Sequence, residues 1–405
     1  MGFLRIYLAL CVLSAHSSEI FLWGKHRGHE AVQIFFIISG FYMAMVYGKY
    51  KNKSEFYFSR FLRIFIPYWT ICMGIIVVSF LLGINYGIWG ELEPYVDYSQ
   101  RNGIAGILIT LVTNITIFGQ DVVMFLSHDF GESLSFTAHF ENSSSPLWKY
   151  LIIPPAWSVA IELAFYLCIP VLLKLRTRTL SIIVCVSLLS RVAFYEILGL
   201  KGDPWVFRFF PFELALFLFG ILSFRISNKR KDFFTSLANR IPRETAFNYI
   251  IQSTLLLFVF WLCSRFTRLD IPYIEANYLK LLSYFVWAAI LPFLFSITRN
   301  SKMDRFIGEL SYPIYLVHLF VISAVSIALQ YASEIDLSES VGFVSAIISI
   351  VLSMCLVWLV IYPLDGVRYQ LAKRLASRAK RLNLLGFGNK AHGTNPGPNQ
   401  NINKI

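Results

Sequence analysis

The amino-acid sequence predicts an all-α polytopic membrane bundle of about ten transmembrane helices with one re-entrant or interfacial segment. Three observations predict it. The chain of 405 residues is 56% apolar and only 15% charged, with a mean hydropathy of +0.60. Apolar runs of about 18 to 22 residues, the length that spans a bilayer, recur from end to end. Lys and Arg cluster between alternate runs, as the positive-inside rule requires.

The predicted spans fall at 3–22, 31–48, 62–83, 156–173, 179–198, 209–225, 247–264, 279–297, 309–330 and 341–362. The first is not a cleavable leader, because it lacks a small-residue cleavage site and carries Arg5 and His16. A further segment, "GIAGILITLVTNITIFG" at 103–119, is short and rich in Thr and Asn. If it does not cross, 26 of the 36 Lys and Arg face one side. If it does, every later loop inverts and the basic "RISNKRKDFFTSLANRIPR" faces out. The expected topology therefore keeps 103–119 in a long outer loop, 84–155, and puts both termini in the cytoplasm of an inner-membrane protein. The net charge of +12 is then a cytoplasmic bias and points to no nucleic-acid partner. Residues 1–365 form the membrane domain, and 366–405 a basic cytoplasmic tail that is partly disordered. The six cysteines all lie in apolar runs and read as packing residues. No HExxH or comparable metal spacing is present, and His26 and His29 beside Glu30 make too weak a pattern for a metal site.

Polar residues inside the spans carry the chemistry, because ionisable groups in hydrocarbon are costly and default to function. Arg5 and His16 are eleven apart, almost three turns, and share one face. Arg60 and Arg63, at i and i+3 where the third span begins, present two planar forks suited to phosphate. Ser158, Glu162 and Tyr166 form a polar stripe on the fourth span. Glu162 is placed about 9 Å below the outer surface, level with His16, where a carboxylate–imidazole pair would orient the ring. Ser311, Tyr315 and His318 line one face of the ninth span. Arg191 with Glu196, and Arg208 with Glu213, read as internal ion pairs. The competing structural readings are snorkelling for Arg5, a positive-inside flank for Arg60 and Arg63, and helix-packing hydrogen bonds for the rest.

Five motifs in order resemble the membrane-bound acyltransferase-3 family. They are Arg5 and His16 eleven apart; "FFIISGF" at 35–41; Arg60-x-x-Arg63; Trp157, Ser158, Glu162, Phe165, Tyr166 and Pro170; and Gly308, Ser311, Tyr312, Tyr315 and His318. The resemblance covers residues 3 to about 365. "GHEAVQI", before the second motif, is more polar than the family's glycine-rich turn, and no extracellular hydrolase-like domain is seen. The resemblance implies O-acyl transfer, usually acetyl, from cytoplasmic acetyl-CoA to a hydroxyl of an extracytoplasmic polysaccharide or lipopolysaccharide such as O-antigen. Arg60 and Arg63 would hold the CoA phosphates, with Arg5 along the path. His16 would be the general base, oriented by Glu162. Trp157, Ser158, Tyr166, Ser311, Tyr315 and His318 would contact the acceptor or the oxyanion. Acyl-CoA, a glycan or lipid-linked glycan and membrane lipid are the implied partners, with no metal. The rival reading is a proton-coupled transporter or flippase of a lipid-linked sugar or small anion, which the same intramembrane residues would serve.

Overall fold

The computed structural model describes residues 1–17, 28–96, 104–128, 134–143, 145–239, 276–332, 340–364 and 366–367. The expected span 247–264 and the tail from 368 lie outside the described residues. The main helices are α1 (Gly2–His16), α2 (Gly28–Val46), α3 (Lys53–Tyr86), α4 (Ile104–Thr116), α5 (Trp157–Leu172), α6 (Thr177–Glu196), α7 (Phe210–Lys229), α8 (Ala276–Thr298), α9 (Lys302–Ala332) and α10 (Val341–Leu356). A π-helical turn, Val357–Ile361, continues α10. Eight helices among the described residues are long and apolar enough to cross a membrane, and α1 and α4 are shorter apolar helices.

Burial runs opposite to that of a water-soluble helix. α4 hides Gly106, Thr110, Thr113 and Asn114 and exposes Ile104, Leu108, Val112 and Ile115. α3 exposes Met73, Val77, Phe80 and Ile84, and α10 exposes Phe343, Ile347 and Val351. Apolar ridges turned outward and polar groups turned inward fit a lipid surround. The 13 residues of α4 rise about 20 Å and the 15 of α1 about 22 Å, both short of the roughly 30 Å hydrocarbon core.

The bundle is drawn together by glycines and polar caps. α2 packs on α7 at Gly40 and Gly220. A Cβ on Gly40 would lie 1.9 Å from the Phe217 carbonyl oxygen, and one on Gly220 would lie 2.0 Å from that of Ile37. Small residues let two helix backbones touch. α1 crosses α9 in the same way at Gly2 and Gly308. Asp304, in the first turn of α9, accepts from the Gly2 amide at 2.8 Å and the Phe3 amide at 3.0 Å, satisfying donors at the start of α1 that have no partner within the helix. α3 begins where the Asn52 side chain accepts from the Glu55 amide at 2.8 Å and stops at Gly87, whose φ is 72°.

The long loop after α3 contains α4 and an antiparallel hairpin, β1 (Leu126–His128) with β2 (Leu134–Phe136), in which Ser127 faces Ser135. Asn114 ties this loop to α4. Its amide donates to the Tyr150 carbonyl at 2.9 Å and its oxygen accepts from the Ile152 amide at 3.0 Å.

Three boundaries differ most from the sequence reading, one being the start of α9 at Lys302 rather than 309. α1 ends at His16 rather than continuing to 22, with Ser17 turning the chain into extended conformation. α3 starts at Lys53, so Arg60 and Arg63 lie two to three turns inside a helix rather than at its start.

Candidate active site

The motif residues gather along one axis of the bundle. At the end where α1 begins, Arg5, Arg60 and Arg63 line a cavity of about 460 Å3. Arg63 donates to both carboxylate oxygens of Glu309, at 2.6 and 2.7 Å. Arg60 donates to the Tyr50 hydroxyl at 2.7 Å. These partners hold the two guanidiniums on separate supports while both still face the cavity.

Ser158, Glu162, Tyr166, Ser311 and Tyr315 line the same cavity further along. The "FFIISGF" motif explains itself here. Phe36 stacks on Phe217 with ring centroids 4.7 Å apart, Gly40 admits α7, and the Ser39 hydroxyl donates to Glu162 at 2.5 Å. The Tyr166 hydroxyl donates to the same carboxylate oxygen. One layer on, the Ser158 and Tyr315 hydroxyls are 2.7 Å apart, and Tyr315 donates to the Pro155 carbonyl at 2.9 Å. Ser311 spends its hydroxyl on the Gly308 carbonyl, at 2.8 Å, so its role in the cavity wall is packing.

His16 and His318 lie at the other end, beyond Tyr315. Their ring centroids are 5.3 Å apart, and His318 is 5.7 Å from the Tyr315 ring. His318 Nδ1 is 2.6 Å from the Tyr315 carbonyl oxygen. A carbonyl can only accept, so Nδ1 carries the proton and, in the neutral ring, Nε2 carries the lone pair. That Nε2 is buried and has no hydrogen-bond partner. Neither imidazole lines the cavity, and His16 is exposed.

Trp157 does not reach the cavity. Its ring lies under the Arg208 guanidinium, 4.3 Å from the centroid. Arg208 is paired with Asp203, at 2.6 and 2.8 Å, and not with Glu213. Glu213 instead accepts from Arg191 at 2.9 Å and from Gln33 at 3.0 Å, in a buried clamp that joins α2, α6 and α7. Tyr284 of α8 completes it by donating to Gln33.

The expected Glu162–His16 pair is replaced by two separate pairs. Glu162 is held by Ser39 and Tyr166, whereas His16 faces His318. The reason is depth. Glu162 is five residues into α5, about 7.5 Å from its start, with the Ser158–Tyr315 layer between it and the imidazoles. Sequence reasoning missed Ser39, Glu309, Asp203 and Gln33 as partners. Ser39, Glu309 and Gln33 each sit on a different helix from the group they hold, and a single sequence carries no sign of which helices cross; Asp203 lies in the same loop as Arg208, five residues before it. For Ser39 a signal existed, since a hydroxyl beside a helix-crossing glycine faces the neighbouring helix.

Clustered arginines, a hydroxyl-lined cavity and, past Tyr315, two adjacent imidazoles thus lie within one helical bundle. The chain belongs to the acyltransferase 3 family: the family model, described as an acyltransferase domain, matches residues 1–362. An uncharacterised protein of Aquifex aeolicus (strain VF5) is 26% identical over 234 residues, 57% of this chain and 95% of that protein. No solved structure matches the chain.

Proposed function

We propose that the protein moves an acetyl group from cytoplasmic acetyl-CoA to a hydroxyl of an extracytoplasmic polysaccharide or lipopolysaccharide sugar. The observation that carries this reading is one cavity lined by Arg5, Arg60 and Arg63 and by Ser158, Tyr166 and Tyr315, with the His318 ring 5.7 Å beyond Tyr315 and the His16 ring next to it. In this reading the arginine end faces the cytoplasm, as the distribution of Lys and Arg requires. Arg60 and Arg63 take the CoA phosphates as forked donors, and Arg5 lines the way in. The cavity receives the pantetheine arm, so that the thioester carbonyl arrives near Ser158 and Tyr315.

His16 removes the proton from the acceptor hydroxyl as its oxygen attacks the thioester carbon. The resulting oxyanion accepts from the Ser158 hydroxyl, which leaves Tyr315 for it, while Tyr315 keeps its own proton on the Pro155 carbonyl. The tetrahedral intermediate collapses, the carbon–sulfur bond breaks, and the thiolate of CoA recovers the proton from the imidazolium. His318, its Nδ1 proton fixed on the Tyr315 carbonyl, keeps an open Nε2, to which His16 turns its N–H as the acceptor binds, and this orients the base. Glu162 acts one layer lower, bracing α2 against α5 through Ser39.

General-base catalysis contributes about 10²- to 10⁴-fold. His16→Ala is expected to lose transfer by that factor while the amount of protein in the membrane and its affinity for CoA stay unchanged. Wild-type transfer by His16→Ala, at equal membrane level, would remove His16 from the role of base.

A further inference from the structure

Arg208 stands outside every motif that led to the site, yet it packs beside the hydroxyl layer. Its guanidinium rests on Trp157, next in sequence to Ser158, whose hydroxyl is 2.7 Å from that of Tyr315, and the Tyr315 ring is 5.7 Å from that of His318. The guanidinium is held on three sides. Nε and Nη2 are taken by the Asp203 carboxylate, at 2.6 and 2.8 Å. One face rests 4.3 Å from the Trp157 ring centroid, with Phe207 at 5.1 Å and Phe140 at 5.5 Å. His29 stacks on Phe207 at 3.7 Å and stiffens that wall. What remains is Nη1, buried and with no hydrogen-bond partner. A buried donor left open beside a reaction layer calls for an oxygen acceptor.

The kind of oxygen follows from charge. Asp203 already neutralises the guanidinium through a bidentate pair, and the side chains of both are only 11% exposed. A carboxylate or phosphate brought to Nη1 would gain little net attraction and would meet Asp203 as a like charge in a poorly screened setting. A sugar hydroxyl or ring oxygen meets no such repulsion.

We propose that Arg208, fixed by Asp203 and Trp157, is an acceptor-specificity residue that donates from Nη1 to an oxygen of an uncharged sugar and presents that sugar to His16. This rests on the acyl-transfer reading and adds to it the charge class of the acceptor and a residue that selects it. Arg208 binds and orients the acceptor and takes no part in proton transfer.

The test uses the full-length chain in membranes of cells that make their own surface glycan, supplied with labelled acetyl-CoA. Arg208→Lys and Arg208→Gln are compared with the parent, CoA affinity is measured alongside, and the acylated sugar is identified by mass spectrometry of the depolymerised glycan. Lys keeps the ion pair with Asp203 but cannot also present a planar fork with a free edge. Both variants are expected to lose at least tenfold in transfer, through the KM for the acceptor, with CoA affinity within twofold of the parent. The label is expected on a neutral sugar. Parent-level transfer by Arg208→Lys would reduce Arg208 to a structural ion pair and overturn the proposal. So would label found on a uronic acid or other acidic sugar, a result read from the parent chain that depends on no variant folding. Absence of label from the parent chain would instead sink the acyl-transfer reading itself.

Discussion

Arg63 has two claims on its guanidinium: the Glu309 carboxylate that holds it, and the phosphate it is proposed to bind. The pair is partly open, with side chains 34% and 19% exposed, so solvent and salt reach it. A phosphate can therefore displace or share it. Glu309→Gln is expected to tighten CoA binding about threefold, and the gain should shrink as salt is raised. Titration calorimetry on the detergent-solubilised chain checks this, and weaker binding by Glu309→Gln would show that Glu309 positions Arg63 rather than competing for it. At this scale the sequence was legible where chemistry stays on one helix. Ser158, Glu162 and Tyr166 do share a face, and Glu162 and Tyr166 do bond at i, i+4. It was illegible where the partner comes from another helix: His16 took His318 rather than Glu162, because depth depends on where each helix starts.

Among elements, the contact of α2 with α7 sets the position of Ser39 and hence of Glu162. Its limit is backbone against backbone, with no room for a methyl at Gly40. Gly40→Ala is expected to destabilise the bundle by about 1–3 kcal/mol, the range for overpacking, and to lower its thermal midpoint in detergent. Gly74→Ala on α3, where an added Cβ meets nothing within 4 Å, is expected to leave the midpoint unchanged or slightly raised, since Ala is the better helix former. An unaltered midpoint for Gly40→Ala would mean that α2 and α7 can part without cost. Helix positions were readable from hydropathy, and the short α4 from its length and its Thr and Asn content. The early end of α1 and the early start of α3 were not, because Ile20, Phe21 and Leu22 stretch the apparent run across the polar Ser17-Ser18-Glu19 break and the cap at Asn52 precedes the apolar run of the second.

For the whole molecule, the arrangement has a direction. Arginines, carboxylate and hydroxyls, then imidazoles follow one another along the bundle, as a reaction joining a donor from one compartment to an acceptor in the other demands. A transporter would also place ionisable groups inside the membrane, but it would move its cargo without changing the cargo's bonds. The direct measurement is mass spectrometry of the surface glycan from cells with and without this chain. The account predicts a mass increment of one acetyl group per modified sugar that is present only with the intact chain and vanishes in cells carrying His16→Ala. An identical glycan in the presence and absence of the chain would contradict it.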